Sequence, residues 1–358
     1  MTTKGPESLV REDIRALTAY HVAPAKGMVK LDAMENPYRL PAELAAQMGE
    51  RLAEVAVNRY PDPSGAALKE RLRETMRIPA GLELLLGNGS DEILQIVSLA
   101  LARPGACVLS LEPSFVMYRL AAIAAGMRYA GLALRDDFSL DTPALLAAIE
   151  RERPALTWLA YPNNPSGNLF PRESILAAVR ASPGLVVVDE AYYPFAGGAS
   201  LLDEVGRHPN LLVVRTVSKL GLAGLRLGVA IGAPGWIHEL EKLRMPYNVN
   251  SLSSAAAQFL LAHREVFERQ AAAIVAERAR LERALDAMRG ARRFPSAANF
   301  ILVRVPDAPR AFDALRQSGI LVRTFHGSHP LLAHCLRLTV GTPDENTRML
   351  EALAPALG

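Results

Sequence analysis

Leu185-Val186-Val187-Val188-Asp189-Glu190-Ala191-Tyr192-Tyr193 is the stretch that decides the fold. Four successive apolar residues read as a strand buried on both faces, the pattern of a mainly parallel sheet covered by helices on each side. Residues 82–86, 106–110, 155–160, 211–216 and 228–231 carry the same short β character, with amphipathic helical patterns between them from about position 44 to 231. An α/β sandwich is expected. Open sheets of this kind build their sites outside the carboxyl ends of the strands, which puts Asp189 in a cleft. An anion there can hold a pyridine-type nitrogen protonated. An Asp-Glu pair after a buried strand also ends the Walker B strand of nucleoside triphosphatases, but the chain has no GxxxxGK[ST] element to accompany it.

Three more strand ends supply complementary parts. Thr216-Val217-Ser218-Lys219-Leu220-Gly221-Leu222-Ala223-Gly224-Leu225-Arg226 places a lysine at a strand end, before a glycine-punctuated turn and an arginine. A primary amine can condense with an aldehyde, and it does so best when desolvation or nearby cations lower its pKa. Lysine otherwise occurs only at positions 4, 26, 30, 69 and 242, so its presence here is informative, although a lone strand-end lysine is ordinarily a surface residue. Gly87-Asn88-Gly89-Ser90-Asp91-Glu92 lies between a strand and a helix, with Ser90 as the expected N-cap. The free N–H groups of such a helix start favour a phosphate, though the same pattern serves as a plain capping turn. Tyr161-Pro162-Asn163-Asn164-Pro165-Ser166-Gly167 follows another buried strand and, taken alone, is an Asn-Pro turn.

Amine, carboxylate, amide and phosphate cradle together resemble fold-type I pyridoxal-phosphate-dependent aminotransferases, and most of all the histidinol-phosphate aminotransferases. The likeness runs along essentially the whole chain. It rests on Asp32-Ala33-Met34-Glu35-Asn36-Pro37-Tyr38, Arg59-Tyr60-Pro61-Asp62, Gly89-Ser90-Asp91-Glu92, Asn164-Pro165-Ser166-Gly167, Asp189-Glu190-Ala191-Tyr192, Ser218-Lys219 with Arg226, and Cys335-Leu336-Arg337-Leu338-Thr339-Val340-Gly341-Thr342. The resemblance implies a mainly parallel seven-stranded sheet sandwiched by helices, with a smaller α+β domain. It implies pyridoxal 5′-phosphate as a Schiff base on Lys219, Asp189 on the ring nitrogen, Asn164 and Tyr192 on the ring hydroxyl, and Phe115 stacked on the ring, where many relatives carry Tyr or Trp. The same likeness sets the cofactor phosphate against Gly89, Ser90, Asp91, Ser218 and Arg226, with Tyr60 reaching in from a second subunit of a homodimer. The interval from Lys219 to Arg226 is one residue shorter than in many relatives, and Gly221 and Gly224 give that turn room to adjust. Arg323 and Arg337 are the expected substrate anion site, since guanidinium binds carboxylate or phosphate through paired hydrogen bonds. The resemblance adds Tyr20 and Asn164 as supports. Catalysis falls to Lys219, Asp189 and Tyr192, and the substrates to histidinol phosphate with glutamate and 2-oxoglutarate.

The rest of the sequence limits the alternatives. A net charge of only +3 with no basic run gives nucleic acid nothing to hold, and residues 1–40 show no helix-turn-helix, which argues against a DNA-binding regulator built on the same pocket. Cys107 and Cys335 are far apart and form no CxxC, and residues 1–13 have no apolar run of signal-peptide type. No stretch approaches a membrane span, so a cytoplasmic enzyme is expected. His326, His329, His334 and Cys335 crowd together without metal-ligand spacing and read as loop and strand residues, so no metal is expected. The helical stretch after position 251, interrupted near His263, is laced with Arg and Glu and reads as an interdomain helix. Residues 299–303 and 336–340 read as strands, and 308–318 and 344–353 as helices. The expected division is an arm at 1–40 packing with a small domain at 251–358, and a large cofactor domain at 41–250. An aromatic aminotransferase and a threonine-phosphate decarboxylase-like enzyme remain rival readings within the same chemistry.

Overall fold

A computed structural model describes residues 5–19 and 23–357. Its strands are β1 Val29–Leu31, β2 Glu83–Asn88, β3 Cys107–Glu112, β4 Arg128–Ala133, β5 Leu156–Ala160, β6 Leu185–Asp189, β7 Leu211–Thr216, β8 Leu227–Gly232, β9 Arg292–Arg293, β10 Phe300–Arg304, β11 Ile320–Thr324 and β12 Cys335–Thr339. Seven of them form one sheet in the order β2-β8-β7-β6-β5-β3-β4. All its neighbours run parallel except β8, which is antiparallel to both β2 and β7. The decisive run Leu185-Val186-Val187-Val188 is buried throughout. Its residues alternate between two apolar layers, Val186 and Val188 facing one and Leu185 and Val187 the other. That explains why the strand is apolar at every position rather than at every second one.

β4 has no counterpart among the expected strands. It is the sheet edge, pairs only with β3, and keeps an exposed or half-buried face along most of its length, so Arg128–Ala133 carries no continuous apolar signature.

A second sheet has the order β1-β11-β12-β10-β9 and its own apolar core, built around Phe300, Ile301, Leu336, Leu338 and the helix Arg264–Asp286. The helices Ser251–Ala262 and Arg264–Asp286 meet at His263, whose φ of −102° and ψ of 40° leave the helical region. The beginning of the chain is divided between the two bodies. β1 pairs in parallel with β11, whereas Arg11 donates to the carbonyl of Ile123 at 2.6 Å, at the end of the helix Met117–Ala124 of the large sheet's layer. Cys107 and Cys335 are free and buried. Among the described residues, no helix is long and apolar enough to cross a membrane, and no group of three metal-ligating side chains occurs.

Candidate active site

One cavity gathers the ends of several parallel strands. Met34, Ser90, Asp91, Phe115, Tyr118, Asn164, Asp189, Tyr192, Thr216, Ser218, Lys219 and Arg226 line it. At its floor Asp189 ends β6, buried, with Oδ2 accepting from the Tyr118 hydroxyl at 2.8 Å and Oδ1 from the Ala191 N–H at 3.0 Å. Burial pushes this carboxyl up to about 6, against the lowering effect of those two hydrogen bonds. A buried carboxylate that forms no ion pair among the described residues is the partner a protonated ring nitrogen requires.

Lys219 reaches the same space from the turn after β7. Burial first, and the nearby Arg337 second, lower its amine to about 8. Its Nζ donates to the Ala33 carbonyl at 3.0 Å and lies 5.9 Å from the Tyr192 ring centroid. Gly221 takes the conformational load of the turn with φ of +133°, and an added Cβ there would meet Asn36 Nδ2 at 2.9 Å. Gly224 has no such φ. The second adjustment falls on Arg226 itself, left-handed at φ 51°.

The phosphate cradle differs from expectation in one detail. Gly89, not Ser90, is the N-cap of the helix Ser90–Leu101, with φ of +84° and no side-chain cap. The Ser90 hydroxyl is therefore left to line the cavity instead of satisfying the helix end. A Cβ on Gly89 would sit 2.7 Å from Arg226 Nη2, and one on Gly228 2.5 Å from the Ser90 nitrogen. Glycine at both positions lets a guanidinium and a row of helix N–H groups converge, a combination that favours a phosphate dianion. Arg226 meets Asp91 at 3.4 Å, with both side chains half exposed. Carboxylate floor, low-pKa amine and phosphate cradle together fit pyridoxal 5′-phosphate.

The class I and II aminotransferase family matches residues 26–353. The chain belongs to that family. It is 57% identical to a histidinol-phosphate aminotransferase of Chromobacterium violaceum, over 97% of this chain and 97% of that one. It is 53% identical to histidinol-phosphate aminotransferase 2 of Cupriavidus pinatubonensis, over 98% and 97%. Among solved structures, the histidinol-phosphate aminotransferase of Sinorhizobium meliloti in complex with pyridoxal-5′-phosphate superposes with a TM-score of 0.87, at 26% identity and 98% coverage of both chains.

In this aminotransferase site the small sheet supplies the remaining cations. Arg337 on β12 is buried, donating to Asn164 Oδ1 at 2.6 Å and to the Asp32 carbonyl at 2.7 Å. Asn164 in turn donates to the Tyr192 hydroxyl at 3.2 Å, and that hydroxyl donates to Met34 Sδ at 3.0 Å. Arg323 on β11 stands directly opposite Arg337 in the antiparallel register, and both guanidiniums lie near the Phe325 ring, at 5.9 and 5.3 Å from its centroid. Phe115 lines the cavity. Tyr60 does not: it is 80% exposed, stacked on Tyr247 at 4.5 Å. Tyr20 lies outside the described residues. The sequence reading missed Tyr118, Met34 and Thr216. Tyr118 is three residues beyond Phe115 and its ring meets that of Phe115 edge-on at the start of the helix Met117–Ala124, a signal that was present but silent without the position of Asp189.

Proposed function

We propose that this chain transfers the amino group of L-histidinol phosphate to 2-oxoglutarate, giving imidazole-acetol phosphate and L-glutamate, a step of histidine biosynthesis, with pyridoxal 5′-phosphate as its cofactor. The observation that carries the reading is the pairing, in one cavity, of the Lys219 amine with the buried Asp189 carboxylate beside the Gly89–Arg226 cradle. Bound there, the cofactor supplies an electron sink for the bonds at the substrate Cα. Asp189 would keep its ring nitrogen protonated. Asn164 and Tyr192 would hold the ring hydroxyl, Phe115 would pack against the ring, and the backbone of Gly89, Ser90 and Asp91 with Ser218 and Arg226 would hold the phosphate. Lys219 Nζ removes the substrate Cα proton, for which an amine near pKa 8 is well matched to neutral pH.

Arg337 and Arg323 receive the substrate's anionic end. Two guanidiniums opposed across a strand pair repel each other, and an anion between them relieves that repulsion. One such site can accept the α-carboxylate of glutamate in one half-reaction and the phosphate of histidinol phosphate in the other. Losing a bidentate charged contact costs ~2–4 kcal/mol of transition-state binding, so Arg337→Ala should lower kcat/KM for both substrates by roughly 30- to 1000-fold. The deciding assay compares histidinol phosphate with histidinol, phenylalanine and threonine phosphate at equal concentration. Equal turnover of histidinol or phenylalanine would replace the reading with a broad aromatic aminotransferase, and carbon dioxide released from threonine phosphate would replace it with a decarboxylase.

The proposed unit is a cytoplasmic homodimer, with residues 41–250 as its large domain, 251–358 as its small domain, and Tyr60 completing the partner's phosphate site. Val57, Tyr60, Met245 and Tyr247 support this, because they leave an aromatic and apolar patch on the chain's surface, with Met245 69% exposed. Mixing Tyr60→Ala with Lys219→Ala subunits should restore one intact site per mixed dimer, up to roughly a quarter of wild-type activity after random exchange. Subunit exchange without any recovery would remove Tyr60 from the shared site.

A further inference from the structure

We infer that Tyr118 is a positioning residue for Asp189: its hydroxyl donates the hydrogen bond that keeps the carboxylate aimed into the cavity and anionic. Tyr118 lies on the helix Met117–Ala124 and is 0% exposed. Its ring stacks on Trp158 at 5.3 Å with an interplanar angle of 2°, and meets Phe115 edge-on at 5.6 Å and 88°. Held on a face and an edge, the phenol has little freedom, and its oxygen ends 2.8 Å from Asp189 Oδ2. The other carboxylate oxygen takes the Ala191 N–H. These two donors fix the plane of the carboxylate.

The surrounding charges make the phenol's contribution distinctive. Asp91 and Glu190 both push the Asp189 carboxyl upward, in the same direction as burial. Glu190 is itself held by Arg215, whose Nη2 lies 2.9 Å away. Tyr192 and Tyr129 act on Tyr118 in the same sense as Asp189 does, and burial holds the Tyr118 phenol well above its ordinary range, so it stays a donor across the working pH. Lys219 and Arg226 line the cavity that the carboxylate faces. Tyr118 is thus the side chain that favours the ionised form by hydrogen bonding, and the Phe115–Tyr118 helix start carries both a cavity-lining ring and the donor to the carboxylate beneath it.

The inference rests on the proposed amino-transfer role only for its catalytic consequence. The first measurement therefore uses protein freed of cofactor: the Asp189 carboxyl is titrated by its infrared band, isolated as a difference against Asp189→Asn. A hydrogen bond to a charged group in a buried site is worth ~1–2 pH units. Tyr118→Phe should move the midpoint upward by that amount, and 3-fluorotyrosine at position 118, a stronger donor of nearly the same shape, should move it downward. In the holoenzyme Tyr118→Phe should shift the pH at which the cofactor's visible band changes. It should also lower kcat about tenfold while leaving KM for 2-oxoglutarate within about twofold, because Tyr118 acts through Asp189. A midpoint equal to wild type in whichever variant folds overturns the role of Tyr118. A wild-type enzyme that shows the shifts but does not turn over histidinol phosphate overturns the proposed substrate and leaves Tyr118 in place.

Discussion

Lys219→Ala should reduce turnover by ~10⁴-fold or more, since one amine both anchors the cofactor and moves the Cα proton. Borohydride treatment of the wild type should fix the mass of pyridoxal phosphate on the peptide containing Lys219. The same treatment of the variant should leave that peptide unmodified, and a label on Lys242 instead would move the assignment. The amine's environment gives a second, independent reading. Burial and Arg337 together lower Lys219 to about 8, so in cofactor-free protein its acylation rate should rise through that pH rather than two units higher. Arg337→Ala removes the larger of the two cationic causes, Arg226 being the other, and the rise should then move to higher pH. An unchanged midpoint would mean that Arg337 does not act on the amine, and that the cation sits too far away, or too well solvated, to do so.

Sequence and structure agree wherever chemistry follows a doubly buried strand. β5, β6, β7 and β8 stand within a residue or two of the runs at 155–160, 185–188, 211–216 and 228–231, because a central strand is apolar throughout and the polar residue that ends it is conspicuous. Asp189, Asn164 and Lys219 were legible for that reason. Arg128–Ala133 was not, since an edge strand need bury only part of one side. β1 and β11 were obscured differently: each is short, and β1 gains its pairing from β11, which lies across most of the chain and pairs on its other side with β12. Tyr118 shows the limit within the site. Its sequence context is an ordinary amphipathic helix, and its meaning comes from a contact with Asp189 seventy-one positions away. The capping of the helix Ser90–Leu101 was misassigned for a related reason. Ser is the better cap by preference, but only Gly89 can adopt φ of +84° with Arg226 pressed against it.

Asp189→Asn should separate activity from stability in opposite directions. Replacing the carboxylate with a neutral amide removes the charge opposite the ring nitrogen, so the ring becomes a weaker electron sink, and kcat should fall by roughly 10²- to 10⁴-fold while part of the cofactor remains bound through its phosphate. The cofactor-free protein should respond the other way. The Asp189 carboxyl is raised from an ordinary 3.8 to about 6, so the folded state favours the protonated form. Stability from that preference is fully present below the unfolded value and is lost as pH rises through 6, leaving at neutral pH a buried charge that its two hydrogen bonds compensate only in part. The size of the shift corresponds to about 3 kcal/mol. Asn at this position keeps the shape, and the Tyr118 hydroxyl can turn to accept from its amide. Cofactor-free Asp189→Asn should therefore melt at a higher temperature than cofactor-free wild type at pH 7 to 8, with the advantage shrinking below pH 6 and gone by about pH 4. Calorimetry at several pH values reads this directly. Equal melting temperatures across that range would mean that the Asp189 charge is already compensated without cofactor, and that the floor of the cavity is not held at the expense of stability for the sake of the ring nitrogen.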